Sequence, residues 1–141
     1  MANGLEHIHS YYSPNDLYNK IIEGLNKLGT DLSKVTLDDL QPVDEFHIRG
    51  DAATKELIKL AAFTPDLHIL DVGCGIGGST RRLAHETGCR VTGIDLSDEY
   101  IDTAERLTQL LDMQERVKSS RPARWNCRFP TTPLTASGRS K

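Results

Sequence analysis

The sequence predicts an α/β protein: the first strand–helix–strand–helix half of a doubly wound parallel-sheet fold, preceded by a helical N-terminal segment. Three observations predict it. The run "HILDV", His68 to Val72, is short and largely apolar, and it leads into four glycines within six positions, Gly73 to Gly78. A second such run, "CRVTGIDL", follows after a helical stretch. Apolar residues recur at helical spacing before, between and after the two. Alternation of this kind builds a parallel sheet with helical crossovers.

Each element has its own local signals. In "SPNDLYNKIIEGLNKLG", Ser13 suits an N-cap and Pro14 the first helical position. Leu17, Ile21, Leu25 and Leu28 then line one face, and Gly29 supplies the stop. "VTLDDLQPV" reads as a short helical turn closed by Pro42. Ala53, Leu57, Leu60 and Ala61 place an apolar face on a helix that ends before Pro65. "HILDV" has the continuous apolar character of a strand buried in a parallel sheet. Ser79 to Thr87 form the next helix, with Gly88 as its C-terminal glycine. After the second strand, Ser97 is the N-cap of a third helix, whose first-turn acids Asp98 and Glu99 suit the helix dipole. Ile101, Ala104, Leu107 and Leu111 are its apolar stripe.

Composition narrows the function classes. At 141 residues, with 38% hydrophobic residues, the chain suits one ordinary domain. A formal net charge of −3 shows no bias toward nucleic acid or an anionic membrane. No stretch approaches the ~20 apolar residues of a membrane span, and the first thirty residues lack the apolar core of a signal peptide. The expectation is a cytoplasmic protein. Cys74, Cys89 and Cys127 have no metal-ligand spacing and read as small buried hydrophobes in a reducing compartment. His7 and His9 have no third ligand nearby, so no metal is expected.

The glycine turn carries the chemistry. Glycines there let the chain turn sharply and let a ligand approach the main chain, while free N–H groups at the following helix start face it. A mononucleotide phosphate loop needs lysine where Ser79 stands, which excludes it. Gly73, Gly75 and Gly78 satisfy the dinucleotide pattern, and Asp95, 22 residues beyond Gly73, has near the spacing of a ribose-binding acid. Asp71, however, lies two residues before the first glycine. A carboxylate near a pyrophosphate is unfavourable by about 4 kcal/mol per charge pair at 4 Å in an effective dielectric of about 20. A ligand bearing a sulfonium and an α-amino group has the opposite preference, and that ligand is S-adenosyl-L-methionine.

"HILDVGCGIGGSTRRLA" followed by "CRVTGIDLSDEYIDTAERL" resembles the first two motifs of class I S-adenosylmethionine-dependent methyltransferases. The likeness is to the small-molecule branch with ubiquinone/menaquinone C-methylases and sarcosine/dimethylglycine N-methyltransferases. "VDEFHIRGDAAT" is similar to the segment that precedes the first motif in the latter. The resemblance runs from about Asp44 to Val117. It implies a Rossmann-like methyltransferase fold, of which only the first β-α-β-α half is present, and methyl transfer to a small-molecule acceptor. It also implies a cofactor site of Asp71, Gly73, Cys74, Gly75, Gly77, Asp95 and Leu96, with Asp71, Gly73, Gly75 and Gly77 around the methionine moiety, Asp95 on the ribose hydroxyls and Leu96 against the adenine. No catalytic base is identified, although His47 in "EFHIRG" is a candidate. Blander readings stand beside these: Asp95 as a turn acid, His47 and Arg49 as a surface pair, Tyr11 and Tyr12 as the apolar lead-in to the first helix. A non-catalytic cofactor-binding remnant and an NAD(P)-binding oxidoreductase fragment remain the alternatives. The acceptor and the oligomeric state cannot be read.

These signals divide the chain into a helical cap segment (1–50), a partial cofactor-binding domain (51–118) and a tail (119–141). The tail, "SSRPARWNCRFPTTPLTASGRSK", has no sustained periodicity and the composition of a disordered segment. Read one nucleotide earlier, Trp125-Asn126-Cys127 forces Glu-Leu, and synonymous codons permit "FQQASALELPFPDNSFDRVWS", which resembles the family's third strand and beyond. A frameshift near codon 119 is therefore expected. Two strands alone would leave an open edge and an uncovered apolar face, so marginal folding and weak cofactor binding are expected too.

Overall fold

The computed structural model describes residues 16–44 and 50–122. The expectations at His7, His9, Tyr11, Tyr12, Ser13, Pro14, His47, Arg49 and Cys127 lie outside the described residues.

Helix α1, Leu17–Lys27, carries its apolar stripe inward at Ile21 and Leu25. It ends where expected: Gly29 has φ +78°, with Gly29 N–H donating to the Asn26 carbonyl at 3.0 Å and Thr30 N–H to the Leu25 carbonyl at 3.0 Å. That pairing is the Schellman stop, which needs a left-handed residue after the helix. A single 3-10 turn, Leu32–Lys34, follows. Helix α2, Leu37–Asp44, opens on a reciprocal cap, with Thr36 N–H donating to Asp39 Oδ2 at 2.8 Å and Asp39 N–H donating to Thr36 Oγ1 at 3.4 Å. The hydrogen bonds that the Asp39 carboxyl accepts from Thr36 N–H and from Thr36 Oγ1, both at 2.8 Å, hold it below the usual carboxylate range. Pro42 does not close this helix but lies inside it. It removes one bond, to the Asp38 carbonyl, close to the helix end, while buried Leu37 and Leu40 hold the turn in place.

Helix α3, Gly50–Ala61, leads to strand β1, His68–Val72. Helix α4, Gly78–Thr87, strand β2, Arg90–Ile94, helix α5, Asp98–Leu110, and strand β3, Val117–Ser120, complete the order. Gly88 closes α4 with φ +74°, and Ser97 caps α5 by accepting from Tyr100 N–H, both as predicted. The sheet order is β1-β2-β3, all parallel, with Ile69 beside Val91 and Val91 beside Val117.

Strand β3 departs from the sequence reading, which ended the ordered part at Lys118. Ser119 pairs with Gly93 and Ser120 with Ile94. "VKSS" alternates sides, with Val117 and Ser119 buried and Lys118 and Ser120 exposed. Four residues with a small polar side chain facing inward give too weak a period-two signal to register.

Two packed clusters hold the layers together. Ile21, Leu25 and Leu40 meet Leu107 of α5, and Ala84, Cys89, Val91 and Val117 join α4 to the sheet. The N-terminal helices thus share a core with α5 of the sheet domain. The opposite sheet face, with Leu70 and Val72, is exposed, and among the described residues β1 has a strand neighbour on one side only. The expected inward face of α3 is also open, since Leu57 and Leu60 are exposed. No described helix is long and apolar enough to cross a membrane.

Candidate functional site

The carboxyl ends of β1 and β2 deliver their turns to one side of the sheet, and a cavity of about 630 Å³ opens there. Its polar floor is Gly73, Cys74, Gly75, Gly78, Ser79 and Asp95. Leu17, Ile21, Leu37 and Val43 bring apolar side chains from α1 and α2, and Ile76 and Tyr100 close the sides. Asp44, Arg82 and Glu99 also line it.

Local rules shape the floor. After β1 the chain turns by left-handed steps at Gly73, Gly75 and Gly77, with φ +77°, +55° and +83°. Gly73 N–H and Cys74 N–H both donate to the Ile94 carbonyl, at 2.8 and 3.0 Å, which hooks the turn onto the end of β2. Asp95 completes the join: Oδ2 accepts from Gly75 N–H at 3.0 Å and Oδ1 from Ser97 N–H at 2.9 Å. Its carboxylate therefore orders the turns after both strands, and it also faces the cavity. The turn-acid reading and the ligand reading of Asp95 are compatible.

The glycines divide into two kinds. A Cβ built at Gly73 or Gly75 meets nothing within 4 Å, so these positions present bare main chain to open space. A Cβ at Gly77 would come within 2.9 Å of Arg81 Nη1, and one at Gly78 within 2.5 Å of Asp44 Cβ. These two glycines admit neighbouring side chains. Gly93, in β2, admits Cys74, whose Cβ would lie 2.8 Å away.

Of the predicted residues, Gly73, Cys74, Gly75 and Asp95 come together on the cavity lining. Asp71, Gly77 and Leu96 lie outside that lining. Asp71 Oδ2 accepts from Thr80 Oγ1 at 2.7 Å and Ser79 Oγ at 3.1 Å, which fastens the end of β1 to the first turn of α4. There its charge offsets the positive helix end that would hold a phosphate. Leu96 is solvent-exposed beside Asp95.

Sequence reading missed Asp44, Arg81, Arg82, Glu99 and Tyr100. Arg81 did leave a signal, since it sits on the same helical face as Ala84, where an apolar residue is the norm.

Burial, with the nearby carboxylates of Asp71 and Asp95, pushes the Cys74 thiol up to about 11. The thiol form is therefore retained at neutral pH, and at pH 8 Cys74 is expected to react with iodoacetamide far more slowly than a free cysteine. Peptide mass spectrometry over pH 8 to 11 should show labelling rise with the thiolate fraction, about tenfold per pH unit. Rapid labelling at pH 8 would contradict this.

Residues 69–128 match the family described as "Methyltransferase domain". Over these residues the chain is similar to a methyltransferase domain. Among relatives, the 2-methyl-6-phytyl-1,4-hydroquinone methyltransferase of Synechocystis sp. is 49% identical over 49 residues, 35% of this chain and 15% of that protein. The sarcosine/dimethylglycine N-methyltransferase of Halorhodospira halochloris is 35% identical over 65 residues, 43% of this chain and 21% of that protein. Among solved structures, a geranyl diphosphate methyltransferase in complex with SAM superposes with a TM-score of 0.50 at 28% identity, over 60% of this chain and 34% of that one. The chain thus spans about a fifth or less of the length of these two curated relatives. The helices and three-stranded parallel sheet of this chain are consistent with part of the fold of that SAM-bound methyltransferase.

Proposed function

We propose that the cavity binds S-adenosylmethionine and that the protein to which this chain corresponds transfers its methyl group to a small-molecule acceptor. The observation that carries this reading is the bare main chain at Gly73 and Gly75, set against a carboxylate, Asp95, that Gly75 itself holds in place. The residues present fit the cofactor. Gly73 and Gly75 leave room for close approach along the turn, Asp95 offers acceptor lone pairs to ribose hydroxyls, and exposed Leu96 offers an apolar surface to the adenine. Gly77 contributes through the shape of the turn, and Asp71 through the anchoring of α4. The bound cofactor would supply an electrophilic methyl group, and the chain's own part is to orient it and exclude water. Free Cys74 and Cys89 accord with a reducing compartment.

An NAD(P) site is the weaker reading, because Asp71 places negative charge at the α4 first turn where a pyrophosphate would sit. Calorimetric titration with S-adenosylhomocysteine and separately with NAD separates the two. Saturable binding of the first and none of the second is expected. Binding of NAD alone would overturn the methyltransferase reading. Binding of neither would make the chain a remnant without a cofactor site.

A further inference from the structure

Arg81 is the one charged residue among the buried residues described, with no exposed surface at all. Its guanidinium reaches three elements. Nη2 donates to Asp44 Oδ1 at 2.8 Å, at the last residue of α2; Nη1 donates to the Ile76 carbonyl at 2.7 Å, inside the glycine turn; and Nη1 also lies 3.5 Å from the Ala104 carbonyl in α5. The turn is built around this pair, since Gly77 makes room for Arg81 and Gly78 for Asp44. Asp44, Ile76 and Gly78 are at the same time part of the cavity lining.

A buried ion pair is poor evidence of stabilisation, because desolvation offsets the Coulomb attraction and apolar replacements of similar volume are often neutral or better. Arg81 Nε has no partner among the described residues, a further sign that the arrangement is not optimised for stability. What the pair does supply is geometry. It fixes the end of α2 against the glycine turn, in a fork that no apolar pair reproduces.

We propose that Arg81 and Asp44 are positioning residues that lock the α1–α2 cap onto the glycine turn, so that order in the cap and ligand binding at the turn reinforce each other. The identity of the ligand rests on the cofactor reading above; the lock itself does not. By linkage, a ligand that tightens the turn must then protect the cap, and loosening the cap must weaken the ligand by the same factor.

The test compares the full chain with an Arg81→Met/Asp44→Leu double variant, which removes both charges and keeps the volume apolar. An Asp44→Asn variant keeps the shape with one neutral acceptor. Hydrogen–deuterium exchange over residues 17–44 is measured with and without S-adenosylhomocysteine, alongside its Kd and the melting temperature. The expected result for the double variant is melting within a few degrees of the parent, at least tenfold faster exchange over 17–44, at least tenfold weaker binding and no ligand-induced protection of the cap. Parent-like exchange and Kd in the double variant would overturn the proposal. If the double variant does not fold, Asp44→Asn decides by the same readouts in the same directions. Failure of the parent to bind would strike the cofactor reading alone. The lock is then judged on exchange without ligand, where faster cap exchange supports it and unchanged exchange removes it.

Discussion

Replacing Asp95 with alanine is expected to weaken S-adenosylhomocysteine binding by ten- to a hundredfold, or about 1.4–2.8 kcal/mol. Two losses coincide at this residue. The carboxylate accepts from Gly75 N–H at 3.0 Å and from Ser97 N–H at 2.9 Å, so its removal frees the turns after both strands. Hydrogen bonds to a charged group contribute about 1.5–3 kcal/mol each in favourable cases, and the partial exposure here places the stability cost nearer the low end. The second loss is the acceptor that would meet the ribose hydroxyls. Asp95→Asn is not a mild substitute. Its amide has one oxygen for two N–H donors, and whichever way it turns, its NH2 group faces one of them. Calorimetric titration reads the affinity, and urea unfolding, expected to fall by about 1–3 kcal/mol, reads the fold. An affinity within twofold of the parent would remove Asp95 from the site.

Gly77→Ala and Gly73→Ala should separate in opposite directions, although both glycines lie in one turn with similar dihedral angles. At Gly77 two costs add. The left-handed conformation, φ +83°, penalises any L side chain by about 1–2 kcal/mol. The new methyl would also lie 2.9 Å from Arg81 Nη1 and 3.3 Å from Ala104 Cβ. An arginine tip can normally move aside, but this one is bonded to Asp44 and to the Ile76 carbonyl. Overpacking of this kind costs about 1–3 kcal/mol, giving a combined loss of about 2–5 kcal/mol for Gly77→Ala. Gly73→Ala meets no atom within 4 Å and carries only the conformational strain of φ +77°. Its methyl would instead occupy the space where a ligand approaches the main chain, so its larger effect is on affinity. Denaturant unfolding and ligand titration of both variants test the division. A larger stability loss for Gly73→Ala than for Gly77→Ala would contradict it.

Much of this was legible one element at a time. The glycine stop of α1, the Ser97 cap of α5, the α5 stripe at Ile101, Ala104 and Leu107, and the left-handed turn after β1 depend on residues within four positions of each other. Backbone sterics and helical periodicity act at that range, so the residue types announce the outcome. Pro42 misled because a proline near a helix end costs one hydrogen bond, which the burial of Leu37 and Leu40 outweighs. Strand β3 escaped notice because "VKSS" gains its order from pairing with β2, not from its own composition.

The site divides along the same line. That the chain turns on bare main chain at Gly73 and Gly75, with Asp95 nearby, follows from glycine chemistry and from the spacing of two strands. Which glycine faces a ligand and which makes room for a side chain does not follow, since all four look alike in one dimension. Asp71 reads as a ligand-facing acid in the sequence, yet the first turn of α4 offers it two hydroxyls and it takes them. Asp44 and Arg81 are 37 residues apart, and no local rule links them. The sequence by itself determined the helices and the first two strands, the stop of α1, the cap of α5 and the place of the turn, because those are set by near neighbours. Only the tertiary structure decided that a buried guanidinium stands behind that turn and that a helical cap is fastened to it, because burial and ion pairing depend on which distant surfaces meet.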